Sequence, residues 1–407
     1  RHMVEQLEKS GPLKGIKVVE IGMWAAGPAA GGIFTDWGAD VIKVEPLEGD
    51  PYRALVVQRD NEGQDSPQFR LDNRAKRSVT LDVRTDEGRK IAYELIKRAD
   101  VFLTNIRLQS LERFKMTWDI LKDVNPRLVY TIVTGYGIKG NEINRPAFDS
   151  GAWWGRGGVA ATVLPDGIPP LFLAGGIGDH FTAMAAVTGT AAALFARAQT
   201  GKGQLVDVSM LRTAAYFISF NLFDQMLGRP RKKQQRDETL NPMIIPYQTK
   251  GGKWFSLLGL QGDRVWPLVC RAVDHPELID DERFNTAAKR AQRSAELVKL
   301  LDEIFATRTV EEWAPRFDRE DVWWAPVQTT ADLLKDPQVR AAGVFMDVPT
   351  PEGKKVEMVA SPIDFSGTPW RATGTHPALG QHTEEVLLEL GHDWEEIAKL
   401  KEKKVIG

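Results

Sequence analysis

Three glycines surround one carboxylate in Gly175-Gly176-Ile177-Gly178-Asp179-His180, and a helical pattern begins directly behind it. Glycine serves where backbone must approach another group closely or turn through positive φ. A carboxylate in the first turn of a helix lies near the positive end of its dipole, which favours the ionised form. Ionised and positioned, such a carboxylate can act as a covalent nucleophile. Asp is also among the preferred N-cap residues, so a plain helix cap is the competing reading of Asp179.

Other residues with chemical capacity are few. Cys270, the single cysteine, lies in an apolar helical stretch, Trp266-Pro-Leu-Val-Cys270-Arg-Ala-Val, and reads as a buried structural thiol. Six histidines (His2, His180, His275, His376, His382 and His392) show no paired ligand spacing, so no zinc site is expected. There is neither a G-x-S-x-G elbow nor a Walker loop. Lys76-Arg77, ahead of Ser-Val-Thr-Leu-Asp82, could hold a phosphate or form a solvated turn. The first strand–turn–helix–strand unit places Glu45 where a ribose-binding acid would sit. Its turn, Gly22-Met-Trp-Ala-Ala-Gly27-Pro28, lacks the G-x-G-x-x-G fingerprint, and Pro28 removes an N–H that a pyrophosphate would use.

The elements that must position Asp179 alternate along the first half of the chain. Strand patterns at Ile16–Gly22, Asp40–Glu45, Val101–Thr104, Leu128–Val133 and Gln204–Ser209 are interleaved with helix patterns at Gly27–Gly38, Asp86–Ala99 and His180–Gln199. This order predicts a parallel sheet covered by helices, an α/β fold of Rossmann-like type. Beyond residue 212 the character changes, through a charged connector at Arg229–Glu238 to a smaller α+β unit. There Gly251-Gly252 reads as a hairpin turn between Ile245–Gln248 and Trp254–Leu258. The expected division is a large domain at 4–212 and 351–407, a small domain at 241–330, and linkers at 213–240 and 331–350. Thr383 to Gly391 and a capping box of Asp393 with Glu396 mark two closing helices.

A chain of 407 residues, 43% hydrophobic and 27% charged, has the composition of a globular protein of more than one unit. Its net charge of −2 gives no overall signal for nucleic acid. No stretch reads as long and apolar enough to span a bilayer, and no secretory leader is expected at the opening residues. One cysteine fits a reducing, cytoplasmic compartment.

Taken in order, several motifs resemble the family III CoA transferases, the CaiB/BaiF type to which formyl-CoA transferase belongs. They are Leu13-Lys-Gly-Ile-Lys-Val-Val-Glu20, Ala25-Ala-Gly-Pro28, Gly38-Ala-Asp-Val-Ile-Lys-Val-Glu-Pro46, Gly49-Asp-Pro-Tyr-Arg53, Lys76–Asp82, Ala99–Asn105 and Leu111-Glu-Arg113. Gly178-Asp179-His180, Thr200-Gly-Lys-Gly-Gln204, Asp336-Pro-Gln-Val-Arg340 and Leu379-Gly-Gln-His-Thr383 complete the series.

The resemblance implies an interlocked homodimer, with acyl-CoA and a small carboxylic acid as substrates. Coenzyme A is then part of the substrate, and no tightly bound cofactor, metal, nucleic acid or membrane is expected. Asp179 is implied as the nucleophile, passing through an acyl–aspartyl anhydride and an aspartyl–CoA thioester, with Gly251 and Gly252 as the glycine loop over the site. Ala25, Ala26, Lys76, Asn105, Arg113 and Tyr136 are implied as CoA contacts. Asn105-Ile106-Arg107-Leu108-Gln109 departs from the usual Asn-Phe-Arg/Gly-Pro-Gly turn. Related 2-methylacyl-CoA racemases carry a His where Phe148 stands here, and a phenylalanine cannot move a proton. Phe148, Trp153 and Trp154 are expected to shape an acyl pocket for larger, hydroxylated or aromatic acids. A branched acyl-CoA isomerase and a non-catalytic CoA-binding protein are the alternative readings.

Overall fold

Strand-length apolar runs fold as six parallel strands: β1 (Lys17–Ile21), β2 (Asp40–Glu45), β3 (Arg77–Thr80), β4 (Val101–Thr104), β5 (Val129–Thr134) and β6 (Gln204–Ser209). This computed structural model describes residues 9–55, 65–172, 175–233 and 235–407. The sheet order is β3-β2-β1-β4-β5-β6, with Val18 of β1 in register with Val41 on one side and Val101 on the other. Helices cover both faces, which is why the strands read as nearly continuous apolar runs rather than alternating ones. Ala30, Phe34 and Ala186 belong to one core, Ile91, Leu121 and Leu387 to the other. Strand order reverses between β1 and β4, and in a doubly wound sheet that is where a crevice opens beyond the strands' carboxyl ends.

Helix Ala26–Asp36 is buried along its whole length. Its small residues allow contact with helix Ile177–Thr200, which also lies along β5 and β6 and ends at Gly201 with φ 74°. Contrary to the sequence expectation, Ile177–Thr200 is long and apolar enough to cross a membrane by length and composition. In this fold Ala183, Ala186, Val187, Thr190 and Ala193 are buried in the protein.

The chain divides into two compact units, Arg1–Pro230 with Gly343–Gly407, and Arg231–Ala342. These limits differ from the expected linkers. Residues 213–226 are not bare connector but parts of helices Met210–Phe217 and Ser219–Met226. At the other end, β10 (Phe345–Pro349) pairs with β11 (Lys355–Val359) inside the first unit. In the second unit β7 (Pro246–Gln248), β8 (Trp254–Leu257) and β9 (Trp324–Val327) form an antiparallel sheet around Tyr247, Phe255, Phe305 and Phe317. Gly251 and Gly252 turn the β7–β8 hairpin at φ 89° and 86°. Cys270 is buried in this unit's core, and burial pushes its thiol up to about 12. The Asp393–Glu396 capping box is formed. Thr383 begins the expected helix, Thr383–Leu390, which Gly391 closes at φ 106°, and its hydroxyl accepts the Thr80 N–H of β3 at 3.0 Å.

Candidate active site

The crevice at the strand switch is built from loops that follow the strands. Trp24, Ala25 and Ala26 follow β1, Asn105 to Leu108 follow β4, and Gly135 follows β5. Met210 after β6, with Arg145, Phe148 and Asp179, completes a cleft of about 110 Å³. Asp179 is the one acidic side chain among the described residues that line it.

Asp179 is not the cap of its helix. Gly176, at φ 68°, is the N-cap, and Asp179 stands in the first turn without a side-chain cap hydrogen bond. Among the described residues its carboxylate makes no hydrogen bond. Nor is it ionised by default, as the helix dipole had suggested. Burial raises its pKa, Asp149 raises it further, His180 opposes and Asp72 adds to the rise, bringing it to about 7. Loss of hydration and two like charges outweigh a dipole term that is worth little more than 1 kcal/mol in most settings.

Three neighbours of Asp179 were not singled out from the sequence. Asp149 leads into the π-helical turn Ser150–Gly155, and its Oδ2 accepts the Gly178 N–H at 3.2 Å. Buried Asp72 lies 3.1 Å from His180 Nε2, and this hydrogen bond raises the imidazole pKa. Tyr52 is buried, and burial together with Asp72, Asp179 and Asp149 keeps its phenol protonated. Tyr52 belongs to the Gly49–Arg53 motif and Asp149 adjoins Phe148. Their relation to Asp179 depends on contacts between segments far apart in the chain.

The glycine before Asp179 has a structural task. A Cβ on Gly178 would lie 2.7 Å from Trp153 Cβ and 2.9 Å from Asp149 Cβ. The close approach there is made to Trp153 and Asp149.

Of the residues implied as CoA contacts, Ala25, Ala26 and Asn105 line the cleft. Asn105 also fixes the β1 loop, since its Oδ1 accepts the Met23 N–H at 3.0 Å and its Nδ2 donates to the Met23 carbonyl at 2.7 Å. Lys76 does not serve as a surface phosphate ligand. Its ammonium is fully buried, 2.7 Å from Glu20 and bonded to the Pro28 carbonyl at 2.8 Å and Asn73 Oδ1 at 2.9 Å. Burial pulls it down to about 8. Arg113 is exposed, bonds back to Ser110 Oγ at 2.9 Å, and is not among the cleft residues. Tyr136 is half-buried beneath the Arg156 guanidinium, which lies 4.8 Å from its ring centre. The cations that do line the cleft are Arg107 and Arg145. Arg107 lies in the very turn that departs from the family pattern.

The aromatic residues also sort differently from expectation. Phe148 lines the cleft, but Trp153 is core, tilted against Phe181 and Phe217 at 5.9 and 5.1 Å. The Trp154 indole N–H is held by the Leu171 carbonyl at 2.8 Å. Trp24, which carried no signal in the sequence, faces Phe148 edge-on at 5.6 Å and 89°. Glu45, the ribose candidate, is buried and bound to Arg53 at 2.7 Å and Ser78 Oγ at 2.7 Å. Among the described residues no group of three or more His, Cys, Asp or Glu is placed to hold a metal ion.

Comparison with known proteins agrees with this architecture. The model of CoA-transferase family III matches residues 13–383. The (R)-2-hydroxy-4-methylpentanoate CoA-transferase of Clostridioides difficile is 33% identical over 396 residues, covering 97% of this chain and 99% of that protein. The cinnamoyl-CoA:phenyllactate CoA-transferase of Clostridium sporogenes is 32% identical, covering 96% of each. Among solved structures, a CaiB/BaiF family protein from Brucella suis superposes with a TM-score of 0.83 at 30% identity, covering 94% of this chain and all of that one (100%). Cleft position, strand order and these full-length similarities converge, and the chain belongs to CoA-transferase family III.

Proposed function

We propose that this CoA transferase moves CoA from an acyl-CoA to a carboxylic acid with Asp179 as the covalent nucleophile. The observation that carries this reading is a carboxylate in the switch-point cleft with no hydrogen bond among the described residues. An acid that served only to stabilise the fold would be hydrogen-bonded, whereas the Asp179 side chain is half-buried and lines the cleft.

The steps balance without redox change. An Asp179 oxygen attacks the thioester carbonyl, the C–S bond breaks, and the electron pair leaves on sulfur as CoA thiolate. The resulting acyl–aspartyl anhydride remains activated. The thiolate then attacks the aspartyl carbonyl and releases the donor acid, leaving an aspartyl–CoA thioester. The acceptor carboxylate expels the thiolate to form a second anhydride. Thiolate attack on the acceptor carbonyl delivers the new acyl-CoA and restores Asp179. Arg107 and Arg145 suit the phosphates of CoA, which charge-assisted hydrogen bonds from guanidinium bind well.

The names of the relatives do not favour the racemase alternative, and Phe148 offers no proton to the α-carbon. We further propose a cytoplasmic, interlocked homodimer. Exposed Tyr216, Phe223 and Met226 on consecutive helices of the first unit support a second copy covering that face. Dissociation into folded monomers on dilution would remove the interlocked arrangement.

The nucleophile is tested with Asp179→Ala and with hydroxylamine added during turnover. Transfer should fall to background in the variant, and mass spectrometry should place the hydroxamate on Asp179 in the wild type. Full transfer by Asp179→Ala would sink the mechanism.

A further inference from the structure

We propose that Trp24 and Phe148 form an aromatic acyl clamp that selects aryl or branched-chain carboxylic acids over short unbranched ones. This rests on the transfer reading above and deepens it, because it concerns the acid that Asp179 activates.

The first observation is backbone strain in the cleft wall. Trp24 has φ 63°, in the left-handed region that a bulky side chain seldom enters. Such outliers persist only where their surroundings hold them, and they gather at ligand sites. Here the hold is explicit. The Trp24 N–H donates to Asp50 Oδ1 at 3.1 Å, and Asp50 is fixed in turn by the buried Lys43 ammonium at 3.0 Å. On the preceding residue, Asn105 grips both the N–H and the carbonyl of Met23. A buried ionic network and a carboxamide thus hold the backbone from which the indole projects.

The second observation is what the indole faces. Phe148 meets it edge-on at 5.6 Å, yet is 58% exposed, so this pair lines open space instead of filling a core. The Tyr52 ring lies 5.9 Å from that of Trp24, and its phenol lies in the field of Asp179. The aromatic wall is therefore beside the nucleophile, where the acyl group of a thioester must sit. Edge-to-face pairs leave ring faces open for a further ring or a branched alkyl group. Trp153 and Trp154 cannot do this, since one is core and the other is tied to Leu171.

The test compares kcat/KM for 3-phenylpropanoate, 4-methylpentanoate and acetate as acceptors, with acetyl-CoA and 3-phenylpropanoyl-CoA as donors. Wild type should prefer the larger acids to acetate by more than about tenfold. Trp24→Gly removes the indole while tolerating the positive φ, and Phe148→Ala removes an exposed ring that the fold does not need. Each should cut that preference at least about tenfold. A wild type that prefers acetate, or a preference unchanged in both variants, overturns the clamp. The second outcome is expected if the rings serve the CoA nucleobase, which every donor shares. If Trp24→Gly fails to fold, Phe148→Ala alone decides. Failure of the underlying reading looks different, with no transfer between any pair of these acids and no hydroxamate on Asp179.

Discussion

Asp149 restrains Asp179 in two ways. Its carboxylate accepts the N–H of Gly178, the residue before Asp179, at 3.2 Å, and its charge is the largest influence after burial in raising the Asp179 pKa to about 7. The same group thus helps to place Asp179 and keeps part of it protonated near neutrality.

Activity should follow. The anhydride-forming step proposed for Asp179 needs its ionised form, so kcat/KM should rise with pH and level off above an inflection near 7. Asp149→Asn keeps an oxygen to accept the Gly178 N–H but removes a negative charge. The inflection should then move to lower pH, with a smaller effect on the plateau. Measuring kcat/KM for the acyl-CoA from pH 5 to 9 in both proteins checks this. An inflection that stays put in Asp149→Asn would mean that Asp149 acts only through its hydrogen bond.

The parts of the site that were legible in the sequence are local ones. Gly175 to His180 announces a helix start with a carboxylate because turn, cap and acid lie within six residues. The strands were legible because burial on both faces leaves little room for polar residues. The burial of Lys76, implied by the resemblance as a CoA contact, was not legible because its partner, Glu20, arrives from β1, which lies two strands from the Lys76–Arg77 end of β3. Trp24 was invisible for a related reason. Nothing in a tryptophan announces positive φ, and the groups that enforce it, Asp50 and Asn105, follow it by 26 and 81 residues. Trp153 looked like a pocket residue because an aromatic side chain near a glycine-rich turn suits a core as well as a cleft.

Stability should oppose activity at Asp179. Its pKa is about 7 in the fold against 3.8 for the free side chain. As pH rises from about 4 to 7, the unfolded chain releases this proton while the folded chain retains it, so stability falls through that window. The loss levels off above pH 7, at up to about 4 kcal/mol. Asp179→Asn removes the penalty while keeping the shape. Thermal denaturation should show the variant gaining more over wild type at pH 8 than at pH 5, in the absence of substrate. Equal gains at both pH values would show that burial of Asp179 carries no ionisation cost.

Lys76 and Arg107 should separate fold from substrate binding. Lys76 is fully buried against Glu20. Lys76→Met leaves that carboxylate with Lys43 alone, which lies 3.1 Å away. Breaking a buried ion pair costs about 3–5 kcal/mol. In a unit of this size that corresponds to a loss of roughly 10 °C in Tm. Arg107 lines the cleft and makes no side-chain hydrogen bond among the described residues. Arg107→Ala should therefore leave Tm within about 1 °C, because exposed side chains away from pairs contribute little. It should raise KM for acyl-CoA about tenfold, the loss expected when one charge-assisted hydrogen bond to phosphate is removed. Thermal denaturation and steady-state kinetics on the two variants make the contrast direct. If Lys76→Met instead raised KM tenfold at unchanged Tm, the ammonium would be reaching the substrate, and the assignment of the phosphate site to Arg107 would fall with it.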